Sequence, residues 1–138
     1  MSDHLFAYGS LQPGCAPRPI ASTAAKLRPV GAGFVRGRLY DLGSYPGAVP
    51  DPNAKGRIAG TVLQLPEDAS VLRELDEYEG FDPQAPERSE FVRERVLVEM
   101  AAGGAMECWI YRYSRRPDPR REVKGDGSIV ARWGAKAD

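Results

Sequence analysis

The sequence predicts an α+β fold in which about five or six strands form a small barrel beside one clear helix. Short apolar or alternating runs separated by Gly and Pro predict the strands. One segment carries apolar residues at helical spacing between an acidic start and a glycine stop. At 138 residues, the length predicts one domain over residues 1–138, with a polar tail over residues 115–138.

The first predicted strand runs directly into a glycine-containing loop. Residues 5–14 read Leu-Phe-Ala-Tyr-Gly-Ser-Leu-Gln-Pro-Gly, so an apolar run ends at Tyr8 and two glycines and a proline follow. Because glycine lacks a Cβ, such a loop lets backbone N–H groups come close to a bound anion. This segment is therefore a candidate ligand-binding loop.

The middle of the chain predicts a short helix, two strands and a shaped loop. Residues 19–27 are Ala-rich and predict the short helix, whereas residues 34–41 alternate like a half-buried strand. Residues 43–53 contain three prolines and two glycines, a composition that we interpret as an irregular loop. A further strand is predicted over residues 56–65, which Pro66 ends.

The second half of the chain predicts a hairpin and then the polar tail. Strands over residues 92–100 and 106–113 flank a glycine-containing turn. Six basic side chains lie between residues 112 and 124 against two acidic ones, with no aromatic residue interleaved after Tyr113. We interpret this segment as a solvated tail rather than a nucleic-acid-binding one.

Charge and composition disfavour several classes of function. The 19 basic and 19 acidic residues give a formal net charge of zero, which disfavours nucleic acid or an anionic membrane as a partner. No apolar run approaches the roughly 18 residues that span a bilayer. The start lacks the pattern of a secretory signal, and two distant cysteines with one histidine make a metal site improbable. We therefore expect a cytoplasmic protein without a metal, and the oligomeric state stays open.

The helix predicted between Pro66 and Gly80 carries the candidate catalytic residue. Its apolar face is defined by Val71, Leu72, Leu75 and Tyr78. At about 100° per residue, Glu79 falls about 50° from the centre of that face. The other acids, Glu74, Asp76 and Glu77, fall roughly 90° to 150° away, toward solvent.

Glu79 is accordingly predicted to be the inward acid of the helix. Burial and the negative end of the helix dipole would both raise its pKa, which suits a proton shuttle near neutral pH. The alternative is a purely structural acid that caps a packing edge or pairs with an arginine, because structural ion pairs also perturb carboxylates.

Taken together, several motifs resemble those of the γ-glutamylcyclotransferase-like (AIG2-like) family. They are Tyr8-Gly9-Ser10-Leu11, Gly37-Arg38-Leu39-Tyr40-Asp41, Tyr45-Pro46-Gly47, Leu75-Asp76-x-x-Glu79-Gly80, Phe91-Val92-Arg93 and Trp109-Ile110-Tyr111. The resemblance covers most of residues 5–113 and does not extend to the tail. It implies a small mixed β-barrel with flanking helices. It also implies release of 5-oxoproline from γ-glutamyl amino acids or amines, without metal or cofactor.

The resemblance also implies roles for particular residues. Tyr8, Gly9, Ser10 and Leu11 would form the substrate-binding loop, and Glu79 would be the general acid/base. Tyr40, Tyr45 and Tyr111 are further candidates for the pocket, although tyrosines in strands more often serve packing. We include Tyr45 and Tyr111 among the predicted substrate-binding residues.

Two functional hypotheses follow from these residues. In the first, the chain is an enzyme that cyclises a γ-glutamyl amide, a reaction for which the substrate supplies its own nucleophile and electrophile. In the second, the same scaffold is a non-catalytic binding module for a small carboxylate ligand. An inward acid at residue 79 favours the enzyme, because a binding module has no need of it.

Overall fold

The computed structural model describes residues 3–9, 11 and 16–123. Their elements are, in chain order, β1 (His4–Ala7), α1 (Arg18–Ala24), β2 (Arg28–Asp41), β3 (Pro46–Pro50), β4 (Arg57–Gln64), α2 (Ala69–Glu79), β5 (Phe91–Met100) and β6 (Ala105–Tyr113). Two short 3₁₀ turns, Pro86–Arg88 and Pro119–Arg121, follow α2 and β6 respectively. None of the helices in these ranges is long and apolar enough to cross a membrane.

Five strands close into a barrel, and β3 lies outside the ring. Antiparallel pairs join β1 to β4, β4 to β2, β2 to β5 and β5 to β6. A parallel pairing of β6 with β1, where Leu5 lies opposite Trp109, closes the ring. The outer strand β3 pairs with the second half of β2. The predicted α+β fold, a small mixed β-barrel with flanking helices, is confirmed.

Alternation along β1 divides the core into two clusters. Phe6 belongs to a cluster with Val35, Val62 and Ile110, whereas its neighbours Leu5 and Ala7 belong to a second cluster that includes residues of both helices. Successive strand residues face opposite sides of a sheet. The first strand therefore contributes to both the barrel core and the layer beneath the helices.

Close packing between β1 and β4 requires one particular glycine. A Cβ at Gly60 would lie 2.5 Å from the carbonyl oxygen of Ala7 and 2.6 Å from the Phe6 ring. No side chain fits at those distances, so only glycine allows β4 to approach the end of β1 this closely. That end of β1 leads into the candidate ligand-binding loop.

Most predicted elements are confirmed, with shifts at their ends. The structure contains both helices, the strand β4 and the β5–β6 hairpin, whose turn holds Gly103 and Gly104 at positive φ. The strand predicted over residues 34–41 begins earlier, at Arg28, because the preceding segment pairs with β4.

The prediction of an irregular loop over residues 43–53 was wrong in part. Five of these residues form β3, which pairs with β2 from Gly37↔Pro50 to Asp41↔Pro46. Two of the three prolines that suggested a loop, Pro46 and Pro50, are the end residues of the strand, where a missing N–H donor costs the ladder little. Without knowledge of the partner strand, the sequence signal was ambiguous.

Over the residues that the structure describes, the segment after β6 differs from the solvated tail that the sequence predicts. Glu122 forms a bridge with Tyr40, and the N–H of Val123 donates to the carbonyl of Leu39 at 2.7 Å. The side chains of Arg115, Arg116, Arg120 and Arg121 are exposed as expected. The backbone that carries them is nevertheless tied to β2, so residues up to 123 are not a free tail.

Candidate active site

A pocket of about 360 Å³ opens where the ends of several elements meet. The C-terminal end of α2, the end of β1 and the residues that begin β3 and β5 form its wall. The described lining residues are Leu5, Phe6, Ala7, Tyr8, Gly9, Leu11, Tyr45, Pro46, Tyr78, Glu79, Gly80, Glu90, Phe91 and Tyr111. Its volume falls within the range of small-molecule sites.

Glu79 lies on this wall as the last residue of α2. Asp68 caps the start of the helix by accepting from the N–H of Ser70 at 2.9 Å, and Gly80 ends it at a φ of 74°. A helix end in the left-handed region favours glycine. These two signals fix where α2 stops, and the stop places Glu79 at the pocket.

The carboxyl group of Glu79 is half-buried, and no described residue provides it with a compensating partner. Within residues 3–9, 11 and 16–123, no hydrogen bond or ion pair to its carboxylate is present. Burial, followed by the negative charge of Glu90, raises the pKa of Glu79 to about 7. Near neutral pH, this group can therefore both accept and release a proton.

Asp76 lies three residues earlier on α2 and is buried, which corrects the prediction that it faces solvent. It is only 5% exposed. Arg93 donates to both of its oxygens, at 2.8 and 3.2 Å, and the Tyr111 hydroxyl donates to it at 2.7 Å. Burial of this carboxylate is tolerated because a cation and a hydroxyl from the barrel satisfy it.

Arg93 is itself held by aromatic rings. Its guanidinium lies 4.4 Å from the Trp109 ring centroid and 5.7 Å from that of Phe81. Arg93, Trp109 and Tyr111 come from the β5–β6 hairpin, so the network with Asp76 joins α2 to the barrel beside the pocket. The sequence resemblance included these residues, but it did not indicate the network.

Tyr8 lines the pocket, but its hydroxyl is engaged with the backbone. It donates to the carbonyl of Tyr111 and accepts from the N–H of Ala48 at 3.3 Å. Burial, followed by the charge of Glu79, raises the pKa of Tyr8 far above its ordinary value. The hydroxyl is therefore a neutral link between β1, β3 and β6.

The rest of the predicted binding loop is described only in part. Gly9 and Leu11 both line the pocket, whereas Ser10 lies outside the described residues. A Cβ at Gly9 would lie 3.3 Å from Cγ of Pro46, which is tighter than an ordinary contact. Glycine at this position therefore accommodates the start of β3 against the loop.

Tyr45 and Glu90 form the mouth of the pocket. Tyr45 is 41% exposed, and its hydroxyl lies 2.9 and 2.8 Å from the two carboxylate oxygens of Glu90. The hydrogen bond to Glu90 is the main reason that the pKa of Tyr45 is raised to about 12. The tyrosine ring packs 5.8 Å from that of Phe91.

Glu90 is a pocket residue that no sequence signal predicts. It immediately precedes β5 and lies in a charged, polar stretch that carries no periodic signal. Only the fold brings it opposite the end of α2. Nothing in the sequence separates it from the other acids nearby.

The remaining tyrosine candidates differ in position. Tyr111 lines the pocket, and its pKa is raised well above the ordinary value by burial and by the hydrogen bond to Asp76. Tyr40 is buried and is not among the described lining residues. In the part of the chain that the structure describes, no group of three or more His, Cys, Asp or Glu side chains is arranged to hold a metal ion.

The charge of the described pocket wall is one-sided. Its ionisable members are two carboxylates, Glu79 and Glu90, together with tyrosines, and neither Lys nor Arg lines it. The nearby guanidinium of Arg93 is committed to Asp76. Among the described lining residues, the donors available to a ligand carboxylate are neutral groups such as backbone N–H groups.

Solved structures with the same fold include proteins from several organisms. An AIG2-like protein from Mus musculus is 21% identical with a TM-score of 0.64, and the match covers 87% of this chain and 82% of that protein. A γ-glutamyl cyclotransferase is 19% identical with a TM-score of 0.58, and the match covers 88% of this chain and 74% of that protein. YkqA from Bacillus subtilis is 22% identical with a TM-score of 0.62, covering 86% of this chain but only 38% of YkqA.

Sequence comparison identifies the family. No curated protein sequence matches the chain significantly. The family model for "Gamma-glutamyl cyclotransferase, AIG2-like" matches residues 5–131, which extends beyond the resemblance seen in residues 5–113 and includes much of the tail. The chain therefore belongs to the γ-glutamyl cyclotransferase, AIG2-like family.

Proposed function

We propose that this protein is a cyclotransferase that releases 5-oxoproline from a γ-glutamyl amino acid or a γ-glutamylamine. The observation that carries the proposal is that Glu79, an acid on the pocket wall with no partner among the described residues, has a pKa raised to about 7. Family membership supports the class of reaction. The pocket and its acid support this choice over a non-catalytic binding module.

The reaction requires few groups from the protein. The α-amine nitrogen of the substrate attacks its own γ-amide carbonyl carbon, and the new C–N bond closes a five-membered lactam. The bond between that carbon and the departing amine then breaks. Glu79 takes a proton from the attacking amine and delivers it to the departing one, so no water, oxidant or metal enters the balance.

Holding the substrate bent is the second contribution of the protein. Correct orientation of reacting groups lowers a barrier by on the order of 7–11 kcal/mol in favourable cases. The apolar wall of Phe6, Leu11 and Phe91 would confine the glutamyl chain. Because this wall also excludes water, it keeps the pKa of Glu79 high.

We assign the negative groups of the substrate to the loop after β1. Gly9 and Leu11 line the pocket, and backbone N–H groups of this loop would bind the substrate carboxylate or the developing oxyanion. With its hydroxyl bonded to the backbone, Tyr8 would contribute a rigid wall rather than a donor. Tyr45 and Tyr111 would line the departing-amine side and the inner side, respectively.

The test is turnover of a γ-glutamyl amide panel by wild type and two matched variants. Glu79→Gln removes the proton shuttle, so 5-oxoproline release should fall by roughly 10²- to 10⁴-fold. Glu77→Gln, on the exposed side of the same helix, should leave the rate unchanged. Product is measured by mass spectrometry.

Two results would contradict the proposal. Full activity of Glu79→Gln would exclude this residue as the acid/base. No release from any amide by the folded wild type, together with saturable binding of 5-oxoproline in calorimetry, would identify a binding module instead.

A further inference from the structure

The mouth of the pocket carries a negative charge that the cyclisation itself does not use. Glu90 lines the pocket beside Tyr45, and ring closure takes place at Glu79. Ring closure needs one proton shuttle, whereas a second carboxylate only raises the cost of ionising the first. A charge retained at the entrance therefore points to recognition of the substrate.

No described cation neutralises the charge of Glu90. No Lys or Arg pairs with it within residues 3–9, 11 and 16–123. Its described hydrogen-bond donor is the neutral Tyr45 hydroxyl, which has one proton to share between two oxygens 2.9 and 2.8 Å away. At least one carboxylate oxygen thus keeps its acceptor capacity for a ligand.

Glu90 is also held in place. Its backbone carbonyl accepts from the N–H and the hydroxyl of Ser114, both at 2.9 Å. The Tyr45 hydroxyl bonds the Glu90 carboxylate, and the ring that carries this hydroxyl packs on Phe91. A fixed charge on a half-buried wall discriminates between ligands better than a mobile one, because little ordering is required on binding.

Charge accounting then separates the possible departing amines. A γ-glutamyl amino acid brings two carboxylates to a described wall that holds two acids and no cation. A γ-glutamyl amide of a diamine brings one carboxylate and two ammonium groups. With the amide held at Glu79, the second ammonium would extend toward the mouth of the same pocket, where Glu90 could pair with it.

We propose that Glu90 is a specificity-determining residue that selects γ-glutamyl amides whose departing amine carries a second, cationic amine and no carboxylate. This inference rests on the cyclotransferase function proposed above and names its substrate class. The reaction is the one already balanced, with a diamine or polyamine as the second product.

A matched set of three amides tests the selectivity. Glutamate is joined through its γ-carboxyl to 1,4-diaminobutane, n-pentylamine or 5-aminopentanoate, which place an ammonium, a methyl or a carboxylate at the same distance. In wild type, kcat/KM should fall in that order by roughly tenfold per step, as about 1.4 kcal/mol per charge step would give. The preference should weaken as salt is raised.

Two variants assign the preference to the charge. Glu90→Gln keeps an acceptor for Tyr45 but removes the charge, and it should bring the three kcat/KM values to within about threefold of one another. Tyr45→Phe keeps the charge, and it should preserve the order. A cation preference that survives in Glu90→Gln, or a wild type that prefers the carboxylate-ended amide, would overturn the inference.

Binding measurements distinguish failure of this inference from failure of the proposed function. The dissociation constants of the three amides are measured by calorimetry against Glu79→Gln, which cannot turn them over if the proposal is right. The same cationic order in binding, with no turnover by wild type, would contradict the cyclotransferase and leave the recognition by Glu90 standing. Turnover without any cationic order would do the opposite.

Discussion

The two acids at the end of α2, Asp76 and Glu79, lie three residues apart in very different surroundings. Asp76 receives three hydrogen bonds, two from Arg93 and one from Tyr111, and it ties the helix to the barrel. Glu79 receives none within the described ranges, and its pKa is raised to about 7. A paired buried acid keeps its charge and contributes to structure, whereas an unpaired one becomes able to exchange a proton.

The network around Asp76 also helps to position Glu79. The position of Glu79 on the pocket wall depends on α2 staying packed against the barrel. The Asp76–Arg93–Tyr111 network joins α2 to the β5–β6 hairpin on the inner side of that wall. Asp76, which keeps its charge, thereby helps to hold Glu79, whose charge changes with pH, in position.

Breaking the paired acid should give the largest change in stability. Asp76→Asn leaves Arg93, whose side chain is 15% exposed, without its counter-charge, and it should lower the free energy of unfolding by about 3 kcal/mol. Urea denaturation measures the loss. Glu77→Gln is the exposed control and should stay within about 0.5 kcal/mol of wild type. A loss that small for Asp76→Asn as well would show that the network does not hold the helix.

The unpaired acid should destabilise the fold as it ionises. Its pKa is raised above the ordinary value of 4.5 to about 7 in the folded chain, so the folded state binds more protons than the unfolded state between these two pH values. Stability therefore decreases as pH rises through this window, by an amount on the order of 3 kcal/mol as an upper bound for a partly exposed group.

Glu79→Gln isolates this effect. The difference in unfolding free energy between the variant and wild type should be constant below about pH 4 and should then grow in favour of the variant up to about pH 8. Denaturation at a series of pH values provides the measurement. Parallel curves for the two proteins would mean that Glu79 is not the destabilising acid.

Activity should follow the same titration of Glu79 in the opposite direction. Ionisation of this carboxyl lowers stability but should raise kcat/KM. If Glu79 accepts the proton of the attacking amine, kcat/KM falls about tenfold for each pH unit below 7 as the carboxyl becomes protonated. Glu90→Gln should move that midpoint to lower pH, because the charge of Glu90 is one of the causes that raise the pKa of Glu79. Glu77→Gln should leave the midpoint in place. The same midpoint in Glu90→Gln as in wild type would show that the charge of Glu90 does not raise the pKa of Glu79.

Local sequence signals were sufficient to predict the inward position of Glu79 but not the surroundings of its neighbours. Helical spacing, the start near Asp68 and the stop at Gly80 are all encoded within α2, and together they indicate the pocket-facing end. The burial of Asp76 depends on Arg93 and Tyr111, which lie 17 and 35 residues away. A helical wheel cannot include partners that only the fold supplies.

The same limit applies to the strands. The turn of the β5–β6 hairpin contains Gly103 and Gly104, which adopt positive φ. Because this signal lies between the two strands in the sequence, the hairpin was predictable. The strand β3 is five residues long with a proline at each end, and it exists because β2 provides a ladder beside it. Glu90 likewise becomes a pocket residue only when the barrel brings the start of β5 to the end of α2.

Tyr8 lines the same pocket as Glu79 and bonds the backbone of Tyr111, a member of the network around Asp76. Its substitution should have the smallest effect. Because its hydroxyl bonds the Tyr111 carbonyl and the Ala48 N–H, Tyr8→Phe should cost about 1 kcal/mol of stability. It should also change kcat/KM less than about threefold, since the hydroxyl is bonded to the backbone and its raised pKa keeps it neutral. Thermal or urea unfolding and 5-oxoproline release measure the two effects. A loss of activity of 100-fold or more with stability unchanged would instead mean that the hydroxyl leaves the backbone to bind substrate, and Tyr8 would then belong with Glu79 rather than with the network around Asp76.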